Sequence, residues 1–389
     1  MNERQIPGAG GAAPAGAFKA MIMAAGLGTR LHPLTGRTAK PMVPILNRPV
    51  MEHMLHLLRR HGVSEVAANL HYHPDKIRTY FGDGSGCGVS LRYNFERELL
   101  GTAGGVGTFR DFLGDGTFVV VSGDGLTDID LTAFVAAHRA CGGIGTMAVK
   151  RVDDPSLYGV VVHDDDGRVM EFQEKPAPGE ELSHLCNCGI YAFEPEIFDH
   201  VPPGVFVDWA KDVFPALLES GVPLCVWPLE TYWNDVGNIE QYRTSNFDAL
   251  VGRVKLDVPG RQLRPGVWVG EGTEVAAGVH LEPPILLGAG CTVEPEAELI
   301  GPLIIGDGCV IERGAVLEGV IHWDGVRAGR GTRLAGSILG RNVVVHHEAV
   351  VHEDAVIGDR SQVAAKVVVP AGSRCGPHSE LGGDAREPA

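Results

Sequence analysis

The stretch Met21–Pro41, MIMAAGLGTRLHPLTGRTAKP, brings together Gly26, Gly28, Arg30 and, ten residues further on, Lys40. Glycines in a turn after a strand let backbone N–H groups approach a phosphate with no Cβ in the way. Arg30 adds a planar fork of donors suited to a triphosphate, and Lys40 adds a point charge. Spacing separates this loop from two other phosphate-binding designs. A Walker loop needs Gly-Lys-Ser/Thr opening its helix, and a dinucleotide fold needs an acidic residue about twenty positions on, at a strand end. The formal charge of the chain is -16. That excludes a general grip on nucleic acid, so any polyanionic substrate must meet local positive charge.

A loop of this kind has to be held by a sheet. Between residues 18 and about 252, apolar runs such as KAMIMAA and TFVVVSGD alternate with amphipathic stretches. Met51, Met54, Leu55 and Leu58 fall at i, i+3, i+4 and i+7, one face of a helix. Strand then helix, repeated, predicts an α/β domain with a mostly parallel sheet covered on both faces. Ligands then bind at the carboxyl ends of the strands, where the glycine loop stands. At 389 residues the chain exceeds one core. Residues 1–17, without a basic start followed by an apolar core, read as a flexible tail, not a signal peptide. No apolar run approaches the roughly 20 residues that span a bilayer, so no membrane is involved and a cytoplasmic protein is expected.

Beyond about residue 253 the period becomes six. Val269, Val275, Leu281, Leu287, Val293, Leu299, Ile305, Ile311, Leu317 and Trp323 keep one phase, and Leu339, Val345, Val351, Ile357, Val363 and Val369 resume it after a slip of four. Such hexads predict a parallel β-helix of about five coils over residues 253–389, each coil with three sides and an aliphatic interior. The domains are therefore 18–252 and 253–389.

The loop, read as MAAGLGTRLHPLTGRTAKP, resembles the signature of the sugar-1-phosphate nucleotidyltransferases, and LLGTAGGV, VVSGDGLTDIDL, YGVV, FQEKP, NCGIYAFEP and YWNDVGNIEQY follow in the family's order. The resemblance covers nearly everything after residue 18. It implies a Rossmann-like mixed sheet followed by a left-handed parallel β-helix. It also implies transfer of a nucleotidyl group from a nucleoside triphosphate to a sugar 1-phosphate, with release of pyrophosphate. Carried onto this chain, it makes Arg30 and Lys40 the residues that bind and polarise the triphosphate. Asp124 and Asp235 become the ligands of Mg²⁺. Lys175 meets the sugar phosphate, with Glu174 on the sugar hydroxyls and Gly159 and Asn187 lining the sugar pocket. Ala24, Ala25, Gly26, Gly28 and Thr29 lie on one side of the nucleotide, and Gly101, Thr102 and Ala103 on the other. The motifs look most like those of mannose-1-phosphate guanylyltransferases, although Ala24–Gly26 reads AAG where guanylyl enzymes often show VGG. Glucose 1-phosphate with UTP, dTTP or ATP is the alternative pair. A non-catalytic regulatory subunit is another reading, disfavoured because the loop and both aspartates are intact.

Asp128 and Asp130 read as an N-cap and first-turn pair for the helix beginning LTAF. His53, His56 and His61 read as core or surface residues of one helix, not metal ligands. His346, His347 and His352 lie outside the interior phase; hexapeptide β-helices with a histidine base also serve acyltransferases, a lesser alternative. The eight cysteines show no C-x-x-C pair and are expected as reduced thiols. The flat faces and open ends of a β-helix predict a homodimer or homotetramer.

Overall fold

The computed structural model describes residues 18–382; the tail expected over residues 1–17 lies outside the described residues. The first strand, Lys19–Met23, runs between Glu65–Leu70 and Phe118–Ser122, parallel to both, and Ser90–Phe95 extends the parallel run. Beyond Phe118–Ser122 the direction reverses. Leu185–Phe193 pairs antiparallel with it, and also with Gly145–Arg151 and Gly159–His163. Val169–Glu174 and Leu224–Pro228 complete a nine-stranded mixed sheet. Ala20, Met21 and Ile22 are fully buried because helices cover both faces of the central strand, which is why it reads as an unbroken apolar run. The helix Val50–Arg60 buries Met51, Met54, Leu55 and Leu58 against one face, as their spacing predicts.

The C-terminal part is a left-handed parallel β-helix whose three faces carry eight, seven and six strands. Six full turns replace the five expected. The interior stack runs through Leu287, Ile305, His322, Leu339 and Ile357 on one face. His322, not Trp323, therefore holds the interior position, which corrects the hexad phase. Two successive coils are each one residue short. The missing residues fall at the corners formed by Gly319 and Gly336, both at positive φ. What the sequence shows as one slip of four is two separate deletions of one.

Trp323 points the other way. It joins Leu286, Ile304, Ile321, Ile338 and Val356, the outward side chains of that face, in a cluster with Leu31, Leu34, Val43, Ile45 and Leu46 from the glycine-loop region. Trp323 Nε1 donates to the Tyr242 hydroxyl at 2.8 Å, and Asn47 Nδ2 donates to the Ile305 carbonyl at 2.7 Å. Arg243 bonds the Gly336 carbonyl and pairs with Asp354. The two halves thus share one apolar core, and the loop with the candidate chemistry rests on the β-helix.

Two further expectations change. Cys141, at the end of the helix Leu131–Cys141, is disulfide-bonded to Cys225 in Leu224–Pro228. The strand Gly145–Arg151 leads away from that helix and pairs with Leu224–Pro228, so the fold closes 84 residues of chain that sequence spacing leaves unconnected. The other six cysteines are free. Asp130 caps its helix, accepting from Ala133 N–H, but Asp128 instead accepts from the N–H groups of Tyr232 and Lys255. His53 is buried and bonded to the Ile45 carbonyl, and burial lowers it to about 4, so it stays neutral.

Candidate active site

The loop after the first strand folds into three short turns, Thr29–Leu31, Leu34–Gly36 and Lys40–Met42. Gly28 adopts φ +67°, and a Cβ there would stand 2.9 Å from Lys40 Cβ, so the loop can close over the lysine only with glycine at this point. Thr35 Oγ1 donates to the Gly28 carbonyl at 2.7 Å and fixes the fold-back. Lys40 is thereby 7% exposed, while Arg30 stays open to solvent.

Asp124 follows the strand Phe118–Ser122, and Asp235 ends the short strand Trp233–Asp235, which pairs with Gly125–Thr127 immediately after Asp124. This ribbon sets the two carboxylates side by side. The Lys40 ammonium pairs with Asp124 and lies 3.5 Å from Asp235, and Arg30 is 4.0 Å from Asp235. Burial alone would raise the Asp124 carboxyl, but Lys40 and the Ser122 hydroxyl overcome it and hold the group below the ordinary carboxylate value. Asp235 moves the opposite way: burial and the charge of Asp124 push it up against the pull of Lys40 and Arg30. Burial would lower Lys40, yet the two carboxylates raise it. Lys40 is the one buried cation against the two carboxylates, Arg30 reaching Asp235 only from the solvent side, and a hard divalent cation suits carboxylates paired in this way. Among the described residues no cluster of three or more metal-ligating side chains occurs, so the other ligands of such an ion would be substrate oxygens and water.

Two cavities meet here. One, of about 350 Å³, is lined by Ala25, Gly26, Asn69, Glu96, Gly101, Thr102 and Phe206, among others. The other, of about 210 Å³, is lined by Arg30, Tyr158, Asn187, Gly189, Trp233 and Asp235. Lys40, Ser122 and Asp124 line both. The cation and carboxylate therefore stand at the junction of two binding lobes.

Of the residues expected from sequence, Ala25, Gly26, Gly101 and Thr102 face the first lobe; Arg30, Asn187 and Asp235 face the second. Ala24 is buried behind the wall, its N–H donated to Asn69 Oδ1 at 2.9 Å, and Ala103 N–H is taken by the Val207 carbonyl. Gly28 and Thr29 shape the loop without lining a cavity. Lys175, Glu174 and Gly159 stand beside the second lobe. Lys175 N–H donates to the carbonyl of Tyr158, its ammonium is 3.1 Å from Glu174, and Glu174 faces Gly159 across the strand pair. Lys175 is itself at positive φ, so its side chain is aimed by an unusual backbone.

Sequence reasoning missed Asn69, Glu96, Ser122, Tyr158, Phe206 and Asp208. Asn69 Nδ2 donates to Glu96 Oε1 at 2.7 Å, and Glu96 Oε2 accepts from Leu100 N–H at 3.0 Å. This buried chain ties the glycine loop to the segment Gly101–Thr102 across the lobe. Three of them carried a signal: Ser122 and Tyr158 stand inside the motifs VVSGDGLTDIDL and YGVV, and Asn69 stands near a strand end. His346 and His347 line a separate notch on the β-helix with Glu312, Arg327 and Arg330, away from these lobes.

The nucleotidyl transferase family model matches residues 19–250, and the GMPPB C-terminal domain model matches residues 281–389. A UTP–glucose-1-phosphate uridylyltransferase of Synechocystis is 43% identical over 65% of this chain and 69% of its own length. A mannose-1-phosphate guanylyltransferase of Mycobacterium tuberculosis is 32% identical over 67% of this chain and 77% of its own. Among solved structures, a glucose-1-phosphate thymidylyltransferase of Bacillus anthracis, so described provisionally, superposes with a TM-score of 0.56 at 25% identity, over 63% of this chain and 98% of the other. With a family model spanning more than half of its length and both aspartates, the lysine and the arginine set around one cleft, the chain belongs to the nucleotidyl transferase family.

Proposed function

We propose that the chain transfers a nucleotidyl group from a nucleoside triphosphate to a hexose 1-phosphate and releases pyrophosphate, with GTP and mannose 1-phosphate as the pair. The observation that carries this reading is the shared wall: Lys40, Ser122 and Asp124 border both lobes, where two anionic substrates would touch. An oxygen of the sugar phosphate attacks the α-phosphorus, and the bond from that phosphorus to the bridging oxygen of the leaving pyrophosphate breaks. The nucleophile is already an anion, so no general base is required. The barrier is charge repulsion, and positioning with neutralisation lowers it.

Lys40 would leave its carboxylates for the α-phosphate as the nucleotide enters, and Arg30, exposed at the rim, would take the departing pyrophosphate. Lys175, with Glu174 holding it, would receive the sugar phosphate, and Asn187 would line the sugar. Asp124 and Asp235 would hold Mg²⁺, which when bound offsets the phosphate charge at the point of attack. A second reading, glucose 1-phosphate with UTP, is favoured by the 43% identical uridylyltransferase.

Pyrophosphate release measured over a panel of triphosphates and hexose 1-phosphates decides. Turnover with GTP and mannose 1-phosphate supports the first pair, and preference for UTP and glucose 1-phosphate supports the second. Turnover by no pair would favour a regulatory subunit. We expect a cytoplasmic homodimer or homotetramer joined through the β-helix, and a sedimentation mass of one chain would refute that assembly. Among the described residues no helix is long and apolar enough to cross a membrane.

A further inference from the structure

The larger lobe is closed on one side by a strap that no sequence motif marks, residues 204–208. Its backbone is pinned to the loop it faces. Val207 N–H donates to the Leu100 carbonyl at 2.9 Å, and the Val207 carbonyl accepts from the N–H groups of Ala103 and Gly104 at 2.9 and 3.0 Å. Thr102 Oγ1 adds a bond to Asp208 Oδ2 at 3.0 Å and receives one from Trp209 N–H at 2.9 Å. The approach is so close that a Cβ on Gly101, at φ +76°, would lie 2.4 Å from the Val207 carbonyl oxygen. From this fixed backbone Phe206 projects at the wall of the cavity, 63% exposed, beside the apolar lining of Met23, Ala25 and Leu99. Scattered exposed aromatics need no explanation. An aromatic that is open to water, held on a pinned backbone and set at the edge of a cavity about 350 Å³ in volume is placed to cover a flat ligand.

We infer that Phe206 is a nucleobase platform: its ring stacks on the base of the bound triphosphate and supplies affinity that does not depend on which base is present. Stacking of this kind tolerates any base because every base offers a π-face. The inference rests on the reading that this lobe receives a nucleoside triphosphate. The ring lies on the binding side of the reaction, so its loss weakens ground state and transition state equally.

The test compares wild type with Phe206→Ala, Phe206→Leu and Phe206→Tyr in the full chain, using GTP with mannose 1-phosphate and UTP with glucose 1-phosphate. Inorganic pyrophosphate, which carries no base, serves as a competing ligand. The expected result is a KM for triphosphate raised about tenfold in the alanine and leucine variants, with kcat within about twofold, equivalent to about 1.4 kcal/mol. The tyrosine variant should restore the wild-type KM, and the inhibition constant of pyrophosphate should not move. An unchanged KM in the alanine variant, a parallel loss of pyrophosphate affinity, or a leucine variant equal to wild type would each overturn the stacking role. If wild type turns over neither pair, the proposed reaction fails by itself. The platform is then judged by calorimetric triphosphate binding, which must weaken about tenfold in the alanine variant.

Discussion

Lys40 is the residue on which the site closes. It is buried, shared between Asp124 and Asp235, and held in place by a glycine that must fold over its Cβ. Lys40→Ala should lower kcat/KM by about a thousandfold, the scale of losing a preorganised charge at a reacting centre; steady-state pyrophosphate release measures it. Gly28→Ala forces an L side chain to φ +67° and against Lys40, so kcat should drop by at least about tenfold even though no substrate-facing group is removed. Unaltered kcat in that variant would mean the loop can relax around a methyl group. Arg30, Lys40, Asp124 and Asp235 could be singled out in the sequence because phosphate chemistry demands charged types and because they fall within motifs that resemble the family's signature. Asn69 and Glu96 could not, and Ser122 and Tyr158, though inside quoted motifs, had no role assigned from sequence. They are common residue types whose role comes only from neighbours across the sheet, such as Ser122 donating to Asp124 two positions on.

The β-helix teaches a similar lesson for elements. Six-residue periodicity sufficed to identify the coils and their aliphatic filling, since a three-sided coil repeats one environment every six positions. The two shortened coils were illegible because Trp323 is apolar and sits where an uninterrupted count would put an interior side chain. In fact that place belongs to His322, enclosed between Ile305 and Leu339 on neighbouring coils, with both ring nitrogens buried and unbonded. Burial lowers its ring to about 3, so the folded chain holds it neutral. A base whose folded value lies below its unfolded value near 6.5 destabilises the fold as pH falls below 6.5, and continues to do so until about 3. His322→Leu, matching its neighbours, should therefore gain about 1 to 3 kcal/mol at pH 8 by removing the unbonded polar ring. Its advantage should grow by about 1.4 kcal/mol for each pH unit below 6.5. Denaturant titrations at pH 8 and pH 5 check both; equal gains at the two values would show that the ring finds a proton partner in the fold.

For the molecule as a whole, the contact between halves matters more than the flat faces of the β-helix suggested. The signature loop has its chemistry on one side and Leu31, Leu34, Val43 and Ile45 on the other, seated on Ile304, Ile321, Trp323 and Ile338. Cutting the chain after residue 252 should leave that apolar surface bare and abolish most turnover, although every residue assigned to the cleft is retained. Full activity in the fragment would show that the loop holds its shape unaided. Trp323→Phe, which removes the bond to Tyr242 together with part of the buried ring, should cost about 1 to 3 kcal/mol, and Trp323→Ala about 3 to 5 kcal/mol. Since those aliphatic and aromatic side chains belong to neither half alone, heating should not release one half before the other. A scanning calorimeter should record a single endotherm, with calorimetric and van't Hoff enthalpies that agree.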